Sequence, residues 1–76
     1  MNEVYSYKGK NLTTLVLTKI EHVASIVASR EMISFELAYR SFISSKTFDI
    51  LQNMQTLLWS ESAEFIVEEY YRETTA

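Results

Sequence analysis

The sequence predicts an all-α fold: a single small domain of four short helices, packed orthogonally or as a bundle. Three observations carry this. The 76 residues include no proline and one glycine, Gly9, and these two residue types are the strongest helix breakers. A serine or threonine stands where each later helix is expected to begin, placed to accept an orphan amide. Apolar residues recur at helical spacing from Leu12 to Tyr71, which marks amphipathic helices rather than strands.

Residues 1–10 read as a polar N-terminal arm ended by Gly9, in which Val4, Tyr5 and Tyr7 suit a short extended piece; residues 11–76 form the helical domain. The first helix is expected from Asn11 or Thr13 to Ser29. At 100° per residue, Leu12, Leu15, Val16, Ile20, Val23, Ile26 and Val27 share one face, and Leu17 and Ala24 widen it to about half the circumference. A stripe this wide marks the central helix of the domain, or one that also meets a second chain. Lys19 falls inside the apolar arc and is expected to snorkel, its ammonium in water.

Ser34 reads as the cap of a second helix over 34–43, with Glu36 in the first turn and Phe35, Ala38, Tyr39 and Phe42 on one side. After the turn Ser44-Ser45-Lys46, Thr47 is expected to cap a third helix over 48–58, whose inward face is Ile50, Leu51, Met54, Leu57 and Leu58. Ser60 is expected to cap a fourth over 61–73, with Ala63, Ile66, Val67, Tyr70 and Tyr71 inward and Thr74-Thr75-Ala76 frayed. Turns of two to four residues between such helices give a compact all-α domain.

Composition narrows the chemistry. A chain this short buries only roughly 60% of its unfolded surface and usually needs a staple or a partner. Cysteine is absent and His22 is the only histidine, so neither disulfides nor a thiolate or histidine-rich metal site is expected, and no cofactor. Hydrophobic residues make up 47% of the chain, too many for a disordered segment. Net charge is −3, and it is uneven: over 61–76 five Glu face Arg72, a net of −4, whereas 1–60 nets +1. An acidic chain with no basic stripe repels phosphate backbones, so nucleic acid is not the expected partner. Apolar runs reach only three residues, Leu15-Val16-Leu17 among them, and Met1-Asn2-Glu3 does not open a signal peptide. No membrane span and a cytoplasmic location are therefore expected.

Catalytic inventory is thin. His22 lies on the polar side of the first helix, about 100° from Glu21, and the Glu68-Glu69 pair cannot converge because adjacent helix positions diverge. Gly9 alone makes no phosphate loop. A helix-turn-helix reading of the second and third helices is the alternative: Gln52, Asn53 and Gln55 offer base-reading groups, but only Arg40 and Lys46 lie near for phosphates.

The stronger functional signal is apolar side chains off the inward stripe. Phe48 and Trp59, eleven residues apart, share a side of the expected third helix with Gln52 and Gln55, and Phe65 points outward among acids on the fourth. Phe48, Gln52, Gln55, Trp59 and Phe65 are thus candidate interface residues, because grouped exposed aromatics mark binding surfaces. Equally, the rings close helix ends against one another. The first reading makes the chain a non-enzymatic protein-binding module, a homodimer or the partner of another protein, with the acidic fourth helix steering a basic partner. A purely structural homodimer is the remaining reading.

The segment from Phe48 to Arg72 resembles a small bacterial family, domain of unknown function 3791. Ile50-Leu51, Leu58, Ser60 and Phe65-Ile66-Val67-Glu68-Glu69 take the places of the family's pattern, and Ile20-Glu21 before Ala24 resembles its start. Trp59 stands where the family has His, and Gln52 where Pro is common. The resemblance implies no known activity. It implies an accessory or antitoxin-like binding role, since the family's genes often neighbour ADP-ribosyltransferase-like proteins.

Overall fold

The computed structural model describes residues 5–75. It contains the four expected helices, preceded by a minimal hairpin: β1 (Ser6–Tyr7), β2 (Lys10–Asn11), α1 (Thr13–Glu31), α2 (Phe35–Ile43), α3 (Lys46–Gln52) and α4 (Ala63–Thr75). Two 3₁₀ turns, Met54–Thr56 and Leu58–Ser60, join α3 to α4. Of the residues expected to form a polar arm, Val4 lies outside the described residues. From Tyr5 onward the chain forms a short extended piece packed on the domain. β1 and β2 pair antiparallel around Lys8 and Gly9, both at positive φ (51° and 81°), as a tight two-residue hairpin turn requires. Tyr5 is buried, and its carbonyl accepts the Leu12 amide at 2.8 Å.

α1 is the central helix. Val16, Val23, Ala24 and Val27 are fully buried and Ile20 nearly so, and both α2 and α4 pack on it. The wide stripe runs past these neighbours, leaving Leu15 and Leu17 exposed. Its end lies two residues beyond the expected Ser29. Met32 adopts the left-handed conformation (φ 55°), and the Met32 and Ile33 amides both donate to the Ala28 carbonyl. That closure normally selects glycine, and here a methionine bears the strain.

Ser34 caps α2 as expected, accepting the Leu37 amide at 3.2 Å. The other two caps differ from the sequence reading by two residues each. Ser45, not Thr47, caps α3, its hydroxyl accepting the Phe48 amide at 3.1 Å. Thr47 is released for another role because Glu73 of α4 reaches across: it accepts the Lys46 amide at 2.9 Å, the Thr47 amide at 2.8 Å and the Thr47 hydroxyl. Ser62, not Ser60, accepts the Phe65 amide at the start of α4, while Ser60 donates to the Leu57 carbonyl. Thr74 and Thr75 continue the helix instead of fraying, their hydroxyls bonded back to the Tyr71 carbonyl.

The core closes around Phe42, fully buried, whose ring meets Phe48 and Tyr70 edge-on at 5.7 and 5.6 Å. Leu51, Ile66 and Val67 complete it. Polar straps bind α4 to α1. Arg30 pairs with Glu68 at 2.8 Å, and the Tyr71 hydroxyl donates to Glu31 at 2.8 Å. Burial, that hydrogen bond and the Glu31 charge push Tyr71 up to about 12. Lys19 does more than snorkel: its ammonium donates to the Glu61 carbonyl at 2.7 Å, just ahead of α4.

Met32 is 92% exposed, so nothing packs on its side chain. Met32→Gly is expected to stabilise the fold by about 0.5–1 kcal/mol, since relief of left-handed strain exceeds the added chain entropy. Thermal unfolding checks this through a rise in Tm of roughly 4 °C. At Glu73, burial opposes ionisation, but the Thr47 hydroxyl, the Lys46 and Thr47 amides and the Lys46 charge outweigh it and hold the carboxyl below its ordinary 4.5. A folded-state value below the unfolded one contributes stability above about pH 4.5 that is lost as pH falls through the folded value. Glu73→Gln should therefore cost about 1 kcal/mol at pH 7, as a lost cap does, and show a shallower acid loss in denaturant titrations between pH 3 and 7.

Candidate protein-binding groove

The shared aromatic face expected on a third helix over 48–58 does not form, because α3 stops at Gln52. Two polar side chains end it. Asn53 turns extended and its Oδ1 accepts the Gln55 amide at 3.1 Å. The Thr56 hydroxyl shares its one hydrogen between the carbonyls of Ile50 and Asn53, 2.8 and 2.9 Å away, which also accept the Asn53 and Thr56 amides. Leu57, left-handed at φ 63°, then reverses the chain. Spacing of eleven residues no longer means a common side.

The five candidates accordingly separate. Phe48 is half-buried against Phe42. Trp59 is half-buried as well: its ring lies 5.5 Å from that of Tyr7, and its Nε1 donates to the Met54 carbonyl at 2.9 Å. Gln52 accepts the Tyr5 hydroxyl at 2.8 Å, tying the N-terminal hairpin to α3. Gln55 is exposed in the first 3₁₀ turn. Phe65 alone of the three rings is substantially open, 45% exposed on α4. The helix expected to read bases in the DNA-binding alternative is thus seven residues long, and its Gln52 is held by Tyr5.

The structure brings together a different set. Between α3 and α4 lies an open groove of about 400 Å³. Ile50, expected to face inward, is 48% exposed and forms its apolar floor with Leu58. Lys46 and Thr47 supply one wall, and Glu69, Arg72 and Glu73 the other. The Glu73 contact with the start of α3 holds the walls in place. Arg72 pairs with Glu69 at 3.0 Å. Phe65 precedes Glu69 by four residues and Arg72 by seven, so the three share a face of α4, with Phe65 beyond the groove's own lining. On an eleven-residue third helix Ile50 falls on the inward stripe with Leu51, so helical phase does not reveal the groove. The signal in the sequence is Asn53 and Thr56, whose short polar side chains bond to nearby backbone and favour turns.

Three of the carboxylates of the acidic fourth helix are engaged within the fold. Glu68 is paired with Arg30, Glu69 with Arg72, and Glu73 with the α3 amides. His22 is exposed on α1 and does not line the groove. Among the described residues no group of three or more His, Asp or Glu is placed to hold a metal ion, and no helix is long and apolar enough to cross a membrane. No family model, curated protein or solved structure matches the chain.

Trp59 carries internal contacts, so Trp59→Ala is expected to destabilise the fold by about 2 kcal/mol, below the cost for a fully buried ring. Urea unfolding followed by far-ultraviolet circular dichroism checks this through the midpoint. A change under about 0.5 kcal/mol would return Trp59 to the surface.

Proposed function

We propose that the chain is a non-enzymatic protein–protein interaction module that receives its partner, another protein or a second copy, on the α3–α4 groove and the adjoining Phe65. The observation that carries this reading is the pair of large side chains, Ile50 and Phe65, left 48% and 45% exposed beside an apolar-floored groove. In a domain this small each exposed aliphatic or aromatic residue is one withheld from a scarce core. An apolar floor with a charged rim is the composition of an interface. The groove's carboxylates support binding over catalysis, because they are engaged by backbone amides and by Arg72. An accessory or antitoxin-like role rests on the resemblance to domain of unknown function 3791, and the burial of Phe48 and Trp59 moves the expected contact surface from the aromatic trio to the groove.

Site-specific photo-cross-linking in the producing cell tests the reading. Benzoylphenylalanine in place of Phe65 or Ile50 is expected to give discrete adducts, either at twice the chain mass or with one recurrent protein. The same group in place of His22 should give none. Equal labelling at all three positions, or no adduct at any, would overturn the proposal.

A further inference from the structure

Met32 stands apart from the other large apolar side chains of the described residues. It is 92% exposed, against 54% for Leu17 and Leu37, the next most open. Its backbone has a defined task, closing α1 at φ 55° with its amide on the Ala28 carbonyl. Its side chain has none: it joins no part of the core and does not line the groove. Glycine closes such a turn with less strain, so neither turn geometry nor packing accounts for a thioether at this position. What the side chain does carry is chemistry. The chain has no cysteine, so its three methionines hold all of its sulfur. A thioether is a two-electron reductant, and its oxidation turns a flexible apolar group into a polar, chiral one. Met54 is the internal contrast. It is half-buried against the core in the first 3₁₀ turn, its carbonyl held by the Leu57 amide and the Trp59 indole.

We propose that Met32 is a site of reversible sulfoxidation by hydrogen peroxide. A sulfur lone pair attacks one peroxide oxygen, and the S–O bond forms as the O–O bond breaks. Sulfur loses two electrons, and the other oxygen leaves as water with both peroxide hydrogens. A dithiol reductase reverses the step: two thiols become a disulfide, and the added oxygen departs as water. Two features of the site let this cycle run without disturbing the fold. The left-handed strain arises at Cβ, and the sulfur lies two bonds beyond it, so the added oxygen leaves the strain as it was. The side chain is open on all sides, so the polar sulfoxide displaces no packed neighbour and meets only water. Openness also fixes the stereochemistry. Both sulfur lone pairs face solvent, so both sulfoxide epimers form, and full repair takes both stereospecific methionine sulfoxide reductases. At Met54 the same oxidation puts a polar group against the core, where it costs stability.

The test is a time course of the full chain in dilute hydrogen peroxide, quenched with catalase and read by tryptic mass mapping. Residues 31–40 and 47–72 each carry one methionine, Met32 and Met54, and fragmentation separates Met54 from Trp59. The expected result is one oxygen gained first in residues 31–40. Met54 is expected to follow at least about tenfold more slowly, because a sulfur that reacts only in an open form is slowed by the scarcity of that form. The thermal midpoint of the singly oxidised chain should match the parent within error. Each reductase alone should restore about half of the Met32 thioether, and the two together all of it. Met32→Leu should remove the fast step and leave the slow one unchanged. Oxidation of Met54 as fast as Met32 would overturn the assignment. A fall in the midpoint on oxidation of Met32 alone would show that the sulfur carries contacts, and a sulfoxide resistant to both reductases would overturn reversibility.

Discussion

Every other element leans on the apolar stripe of α1. Val16, Ile20, Val23 and Val27 are four aliphatic side chains in a row down one helix, each worth about 1.5–3 kcal/mol on burial. α2 and α4 pack on that helix directly, and α3 reaches the core through Leu51 and Phe48 beside Phe42. With no cysteine to cross-link the chain, removing this stripe would leave the remaining helices without a common surface. A helix of nine residues such as α2, or seven such as α3, is unstable in isolation and exists because α1 offers a face to lie on.

Polar contacts do the positioning that the thin core cannot. Arg30 and Glu31 near the end of α1 hold Glu68 and Tyr71, and Lys19 holds the carbonyl of Glu61. Glu73 then places the far end of α4 on the first turn of α3, serving two orphan amides with one carboxylate. Such ties are individually modest when solvent reaches them. They matter because they set the register between helices whose apolar faces alone would tolerate sliding. The groove results from this arrangement: α4 is fastened to α1 along one side and to the tip of α3 along another, leaving Ile50 and Leu58 uncovered between them.

Beyond Lys8 in the hairpin turn, the same economy explains two further residues at positive φ. Met32 and Leu57 adopt left-handed conformations where glycine is easier. Each closes a turn that swings the chain back onto α1, and in each case a carbonyl accepts more than one donor: Ala28 from Met32 and Ile33, and Met54 from Leu57 and the Trp59 indole. Satisfied hydrogen bonds at the turn offset the strain.

The sequence by itself determined the all-α class, the number of helices, the central place of α1 and the cap at Ser34, because these follow from local rules: absent breakers, 3.6-residue periodicity and a hydroxyl before a run. It also placed Phe65 on the outside of α4, where helical phase was unambiguous. What only the tertiary structure decided were the features in which a local preference met a distant partner. Thr47 looked like a cap until Glu73, 26 residues away, claimed its amide and hydroxyl. Phe48 and Trp59 suit interface or packing equally on a helical wheel, and distant partners decide: Phe42 of α2 meets Phe48, and the break at Asn53 sets Trp59 onto Tyr7 of the N-terminal hairpin. The groove lay beyond any helical wheel for the same reason. Its floor and walls come from elements brought together by α1, and a wheel drawn for one helix has no knowledge of which neighbour fails to cover it.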